Sequence, residues 1–355
     1  MKVVLLNQFG GPDCLQGNTV ATPTPRPGEV VVRVAAVEVS RTRDLGTCSG
    51  NHPFSLLVRF PHVLGGHCAG TVAAVGSGVD PTLVGRPVAV MGHHTCGQCD
   101  ACRSGTDEAC DDLELLGIHR WGSYAQYAAV PATSVHPVPE DADLCEVAAM
   151  AATGPVGLTQ LRRARLQAGD VVVLPGRTGA LAQTITALAR QLGVRVIGLS
   201  RTGDSRSSDT VTINTNRRDL AEAILQEAGG RPVAVLDNVC DPGTFDRYFP
   251  ILANGARIVI SGAIGHPLPT LRVPARELYS RNVSLIGVRS HSAECADEFW
   301  QLVRNGFRLS VGSIHKHPLA SATAVHTAVA EGTLSGHNVL MPPPIDEMHA
   351  EEPRA

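Results

Sequence analysis

The segment Gly169 to Arg201 reads GDVVVLPGRTGALAQTITALARQLGVRVIGLSR, and it decides the fold. Asp170 to Leu174 is a short run dominated by valine, which suits a strand buried on both faces. It enters Gly176-Arg177-Thr178-Gly179-Ala180-Leu181-Ala182. The pattern then predicts a helix over Gly179 to Leu192 and a second strand over Val194 to Leu199. Glycine at 176 permits a tight turn, glycine at 179 lets backbone approach a pyrophosphate, and a small residue at 182 lets the helix pack on the strand. The free N–H groups and positive end of such a helix form a phosphate seat. Strand, turn and helix in this order make the glycine pattern a dinucleotide-binding signature. Its candidate residues are Gly176, Arg177, Thr178, Gly179, Ala180 and Leu181.

The second strand ends at Leu199-Ser200-Arg201. An acidic residue there would bind the ribose 2′-hydroxyl of NAD. Ser200 and Arg201 instead offer a hydroxyl and a positive fork, which suit the 2′-phosphate of NADP, and Arg206 could assist. The expected cofactor is NADP(H).

Working outward, strands and helices keep alternating. Helices are expected at Asp219 to Ala228 and Phe245 to Leu252, and strands at Val233 to Asn238, Arg257 to Ile260 and Val283 to Val288. This is the pattern of a parallel sheet covered on both faces, an α/β doubly wound fold. Upstream, residues 1–130 are β-rich, with strands expected at Val30 to Val37, Ala69 to Val75, Pro87 to Met91 and Tyr124 to Val130. Ala/Leu-rich helical sequence follows in Leu144 to Gln160 and Thr159 to Leu166. After residue 289 the character is mixed again, with helices at Glu294 to Gly306 and Ala320 to Glu331 and a strand at Asn338 to Met341. The order fits one domain interrupted by another: 1–150 and 289–341 outside, 151–288 inside. The tail, 342–355, is polar and Pro-rich and reads as disordered.

A chain of 355 residues, 43% hydrophobic with a net charge of −3, has the composition of an ordinary globular protein of about two domains. The near-neutral balance gives no footprint for nucleic acid or acidic membranes. The apolar start of MKVVLLNQFGGPD is broken too early for a signal peptide, and no run approaches a membrane span. The expected location is cytoplasmic.

Cys96-x2-Cys99-x2-Cys102-x7-Cys110 places four thiols in one loop, 93–112. Soft sulfur in a closed tetrahedron suits zinc and leaves no open coordination position, so one structural zinc per chain is expected. With four thiolates filling that shell, His93 and His94 read as surface loop residues.

Together these motifs resemble the zinc-containing alcohol dehydrogenase branch of the medium-chain dehydrogenase/reductase superfamily. The resemblance runs from Met1 to about Met341. It includes PHVLGGHCAGTVAAVGSGV, the cysteine lobe, GSYAQYAAVP, GPVGLTQL, VLDNVCDPGTF, LANGARIVISGAIG and GHNVL. It implies a GroES-like β-rich catalytic domain split by a Rossmann domain, with the cleft between them. It also implies cofactor contacts from Thr159, Asn238, Val239 and the turn Gly262-Ala263-Ile264, and a homodimer paired through an edge near Asn282 to Val288. Cys240 stands where the family has a glycine.

The resemblance further implies where a second, catalytic zinc would bind. Its ligand positions fall on Arg41 (or Ser40), His67 and Pro155, so one ligand of three survives. Hydrogen-bond donors must then stabilise the charge that hydride transfer develops; the candidates are Ser40, Arg41, Thr42, His67 and Tyr124. The expected function is an NADP(H)-dependent oxidoreductase without catalytic zinc, reducing an activated C=C bond or a carbonyl of a small organic substrate. A zinc enzyme with rearranged ligands and a non-catalytic binding protein on the same fold are the alternatives.

Overall fold

The computed structural model describes residues 1–206, 210–265, 269–309 and 314–344. Two seven-stranded sheets organise the chain. In the first the order is Ser205–Arg206, Thr210–Asn214, Arg195–Ser200, Val171–Pro175, Ala234–Leu236, Arg257–Ile260, Ser284–Gly287. Every pair is parallel except the edge pair of Ser205–Arg206 with Thr210–Asn214. Val171–Pro175 is the first strand in sequence yet lies centrally, with later strands added first on one side and then on the other. That reversal opens a crevice beyond its carboxyl end, where such sheets bind nucleotides.

The second sheet is largely antiparallel. It runs His315–Pro318, Asn338–Met341, Glu29–Glu38, His67–Val75, Pro87–Met91, Val135–Pro137, and Tyr127–Pro131 pairs with Glu29–Glu38. Asn338–Met341 returns from beyond the first sheet to lie on Glu29–Glu38. The Rossmann sheet is thereby inserted into the GroES-like one. The sequence reading did not single out the hairpin of Lys2–Leu6 with Leu15–Thr19, the strands Val135–Pro137, Thr210–Asn214 and His315–Pro318, or the helix Ala275–Ser280.

The two helical stretches expected between Leu144 and Leu166 form one helix, Leu144–Arg163. Asp143 caps its start, accepting from Cys145 N–H at 2.8 Å. Pro155 lies inside it, where its missing N–H breaks one helical bond. The helix packs on strands of the second sheet and on the helices Ala180–Gln191 and Ala293–Arg304. A buried polar chain also ties the two bodies together. Glu38 accepts from His337 Nδ1 at 2.7 Å, His337 Nε2 meets Thr184 Oγ1 at 3.2 Å, and Thr184 meets Thr153 at 2.7 Å. The start of the tail is held, because Gln126 Nε2 donates to Pro343 O at 3.0 Å; residues 345–355 lie outside the described residues.

No described helix is long and apolar enough to cross a membrane.

Gly154 shows how tight the junction is. A Cβ there would lie 2.1 Å from Cζ of Phe299, a ring with no solvent exposure that packs on Trp300 and Phe307. Alanine gains up to about 1 kcal/mol of helix propensity over glycine, but overpacking costs about 1–3 kcal/mol. Gly154→Ala is therefore expected to lower the melting temperature; an unchanged or higher value would contradict this packing.

Candidate functional site

The nucleotide turn is built as its glycines require. Gly176 has φ +75°, and a Cβ there would meet Val239 Cγ2 at 2.7 Å. Gly179 N–H donates to Gly176 O at 2.9 Å, and Gly179 caps the helix Ala180–Gln191 with no side-chain acceptor. The N–H groups of Ala180, Leu181 and Ala182 precede the first intrahelical donor, so an anion can take them. Arg177 N–H donates to Leu199 O at 3.0 Å, and its side chain lies across Gly198, where a Cβ would come within 2.5 Å. Arg177 Nε is buried without a partner. Thr178 is exposed, and its carbonyl accepts from Gly336 N–H at 3.0 Å.

Ser200 Oγ meets Thr202 Oγ1 at 2.7 Å, while Arg201 is exposed. Arg206 is paired with Glu227. Burial and the charge of Arg201 lower the pKa of Arg41, so the two guanidinium groups disfavour one another across the cleft.

The far wall is a second fixed turn. Asp237 accepts from Val239 N–H at 3.0 Å and Cys240 N–H at 2.8 Å. Cys240 adopts φ +57°, so it keeps the left-handed turn for which the family uses glycine. Asn238 is locked by Gln160 through two bonds of 3.1 and 3.0 Å. Ile264 N–H reaches Val239 O at 3.1 Å, placing Gly262 and Ala263 beside this turn. Thr159 is buried; its Oγ1 donates to Pro155 O and accepts from Ser292 N–H at 3.2 Å.

The residues expected to carry chemistry are placed differently. Ser40 Oγ accepts from Arg43 N–H at 3.3 Å, and Ser40 N–H donates to Asp44 at 2.8 Å. Arg41 turns toward the carbonyls of Val329 and Ala330, ending the helix Ala322–Glu331. Thr42 is exposed. Tyr124 has no exposure, and its hydroxyl meets His326 Nε2 at 2.8 Å; burial raises its pKa well above the ordinary range.

The residue beside His67 is Arg43, which spacing alone did not single out. Its Nη1 meets His67 Nε2 at 2.8 Å, and its Nη2 donates to Gly92 O at 2.6 Å and Leu116 O at 2.7 Å. A guanidinium only donates, so Nε2 accepts and the imidazole is neutral. A Cβ on Gly66 would lie 2.4 Å from both Cζ and Nε of Arg43. Residues Arg41–Leu45 form a π-turn.

His93, expected on the surface, is 7% exposed, and neither ring nitrogen has a partner. Its ring lies 4.8 Å from that of buried His291, a residue no motif marked. Burial first, then the charge of Arg43, pushes the His67 pKa well below its ordinary value and that of His93 down to about 3. Burial lowers Arg43 itself only to about 10, so it stays charged at neutral pH.

Cys96, Cys99, Cys102 and Cys110 bring their sulfurs within 4.8 Å of one another, with neighbouring pairs at 3.5, 3.6 and 4.0 Å. A tetrahedron with Zn–S bonds of ~2.3 Å has edges of ~3.8 Å, so the cluster fits zinc. Among the described residues no other group of three His, Cys, Asp or Glu ligand atoms gathers this closely. The lobe is docked on the segment after Ser284–Gly287. Arg289 donates to Glu108 O at 2.8 Å and Cys110 O at 2.7 Å, and Asp107 accepts from Ala293 N–H at 2.9 Å.

Two family profiles match the chain: the alcohol dehydrogenase GroES-like domain over residues 26–140 and zinc-binding dehydrogenase over residues 180–305. An alcohol dehydrogenase of Moraxella sp. (strain TAE123) is 30% identical over 268 residues, 74% of this chain and 77% of the relative. The crystal structure of AibC superposes with a TM-score of 0.85 at 26% identity, covering 97% of this chain and 96% of that one. An NAD-dependent alcohol dehydrogenase also gives 0.85 at 26% identity, with 96% and 99% coverage.

Two outcomes follow from this geometry. Gly66→Ala is expected to displace the Arg43 guanidinium. His67 should then titrate nearer 6.5 by NMR, with about 1–3 kcal/mol of stability lost to overpacking; an unmoved His67 would contradict the contact. The second outcome concerns pH. Burial depresses eight histidines, His52, His62, His67, His93, His119, His136, His291 and His326. Their contribution is full above the unfolded value near 6.5. It is lost as pH falls toward the folded values, about 4 for His52 and His326 and about 3 for His93. Asp44, raised to about 6, and Glu38, also raised, act in the opposite sense. Eight groups outweigh two, so the melting temperature should fall between pH 6.5 and 4; a rise over that window would count against it.

Proposed function

Because this chain belongs to the zinc-type alcohol dehydrogenase branch of the medium-chain dehydrogenase/reductase superfamily, we propose that it is an NADP(H)-dependent oxidoreductase without a catalytic zinc. In this reading residues 1–150 and 289–341 form the catalytic domain, 151–288 bind the dinucleotide, and the substrate is a small organic molecule with a carbonyl or activated C=C bond. The observation that carries the proposal is Arg43: it donates to His67 Nε2 at 2.8 Å, taking the lone pair a metal would need. His67 is then a positioning residue for the guanidinium.

The bound dinucleotide supplies hydride chemistry. The chain's part is to seat its pyrophosphate on the N–H groups of Ala180, Leu181 and Ala182 and to fix the nicotinamide side with the Val239 and Ala263 turns. Exposed Arg201 faces the charge of Arg41, and a 2′-phosphate between them would relieve that repulsion while Ser200 donates to it. Arg41 and Ser40 are read as shaping the cleft rather than touching the reacting atoms, and Tyr124 as supporting it from the core. The four cysteines hold the structural zinc. Ser284–Gly287 leaves the Rossmann sheet edge open, with Leu285 exposed; pairing of two such edges is the proposed homodimer contact.

Cofactor fluorescence and metal content test the reading together. NADPH should bind more tightly than NADH, and Arg201→Ala should weaken NADPH by about 10–100-fold while leaving NADH nearly unchanged. One zinc per chain is expected, absent in Cys110→Ser. Two zinc ions per chain, or equal binding of both nucleotides, would defeat the zinc-free or the NADP part respectively.

A further inference from the structure

We propose that Arg43 and His93 form an oxyanion site: they hold the substrate oxygen that becomes negative as hydride is transferred. The inference rests on the zinc-free reading above and names the chemistry of that same site.

Three of the five guanidinium N–H groups are used, on His67, Gly92 O and Leu116 O. Nε–H has no partner and no solvent contact. His93 is next in sequence to the gripped Gly92 carbonyl, and its backbone pairs with Leu115, next to the gripped Leu116 carbonyl. Its backbone thus adjoins both carbonyls that clamp the guanidinium. Both His93 ring nitrogens are buried and unpartnered. Buried polar atoms without partners are uncommon, and those of Arg43 and His93 sit on adjoining segments. His291, on the segment leaving Ser284–Gly287, covers the ring at 4.8 Å. A substrate reaches the ring only if the segment carrying His291 moves aside.

The group that suits them is an acceptor oxygen beside a fixed positive charge. Neutral imidazole can donate to such an oxygen as an electrophile without becoming charged. The low pKa of His93 keeps it in that neutral form. In reduction, the substrate carbon (the carbonyl carbon, or the far carbon of a conjugated C=C) receives hydride from the reduced nicotinamide. The displaced π pair moves to oxygen, giving an alkoxide or enolate on Arg43 and His93, and water supplies the proton. The ligand class is therefore a carbonyl compound, isolated or conjugated.

Acetate, a carboxylate mimic of that oxyanion, is the probe. It would be titrated into the 15N-histidine-labelled protein, both free of nucleotide and saturated with NADP+. Acetate should move the His93 ring resonances, identified by their loss in His93→Gln. A hydrogen bond to a charged acceptor is worth about 1.5–3 kcal/mol, so His93→Phe should weaken acetate by about 10–100-fold. His93→Gln, which keeps a donor, should remain within about threefold, and NADP+ affinity should be the same in all three proteins. Unmoved His93 resonances, or equal acetate affinity in wild type and His93→Phe, would overturn the oxyanion site. Loss of NADP+ binding would instead overturn the functional reading, with the nucleotide-free titration still deciding the site.

Discussion

A guanidinium held inside the protein constrains everything around it. Removing one charge from water costs several kcal/mol unless acceptors replace the lost hydration. Arg43 meets that demand with two carbonyls, Gly92 and Leu116, one imidazole lone pair, His67, and the nearby Asp44 carboxylate. Each has its own requirement. Gly66 must lack a side chain so that the guanidinium can lie on the backbone. Asp44 must accept from Ser40 and Gly65 N–H to stay ionised at its raised pKa of about 6. Burial lowers His52, His67, His93, His119 and His291, and the charge of Arg43 adds to it. Neutral imidazoles thus surround the buried Arg43 cation.

The cysteine lobe bears on the same place from the other side. Arg289 grips the carbonyls of Glu108 and Cys110, and Asp107 takes the Ala293 N–H at the start of a helix. These contacts bracket His291, whose ring rests on His93. A lobe with almost no apolar core of its own would keep its shape through its four sulfurs once they hold zinc. It passes that shape to the segment that roofs the cleft.

What the sequence disclosed and what it hid have separate physical causes. The nucleotide turn was legible because Gly176 and Gly179 act through backbone geometry that local sequence specifies, and the four cysteines because ligand spacing within one loop fixes their distances. The strands Pro87–Met91, Arg257–Ile260 and Asn338–Met341 were read to the residue. Arg43 was missed because the family motif placed the ligand position on Arg41, three residues before Asp44, and nothing local in VSRTRD shows which side chain turns toward His67. His93 was misread because proximity in sequence to a metal loop says nothing of burial; a ring from residue 291 covers it. Arg41 looked like a cleft donor, but the carbonyls ending a helix some 290 residues later claim it. Such errors concern tertiary partners, which no local pattern encodes.

The electrophile also biases the direction of the proposed reaction. A zinc ion binds an alcohol directly and can lower the pKa of a bound hydroxyl to ~7, so it serves oxidation as well as reduction. A guanidinium offers hydrogen bonds and charge but no coordinate bond, and it leaves an alcohol far less acidic. Oxidation would then need a base to take the hydroxyl proton. The adjacent imidazole, His93, is held at about 3 by burial and by Arg43 itself, too weak for that task at neutral pH. Reduction needs no such base: the same fixed donors stabilise the oxygen as it gains charge, and water supplies the proton. A site built on Arg43 is therefore suited to reducing carbonyl compounds, and the cation that shapes the cleft is also what works against running it backwards.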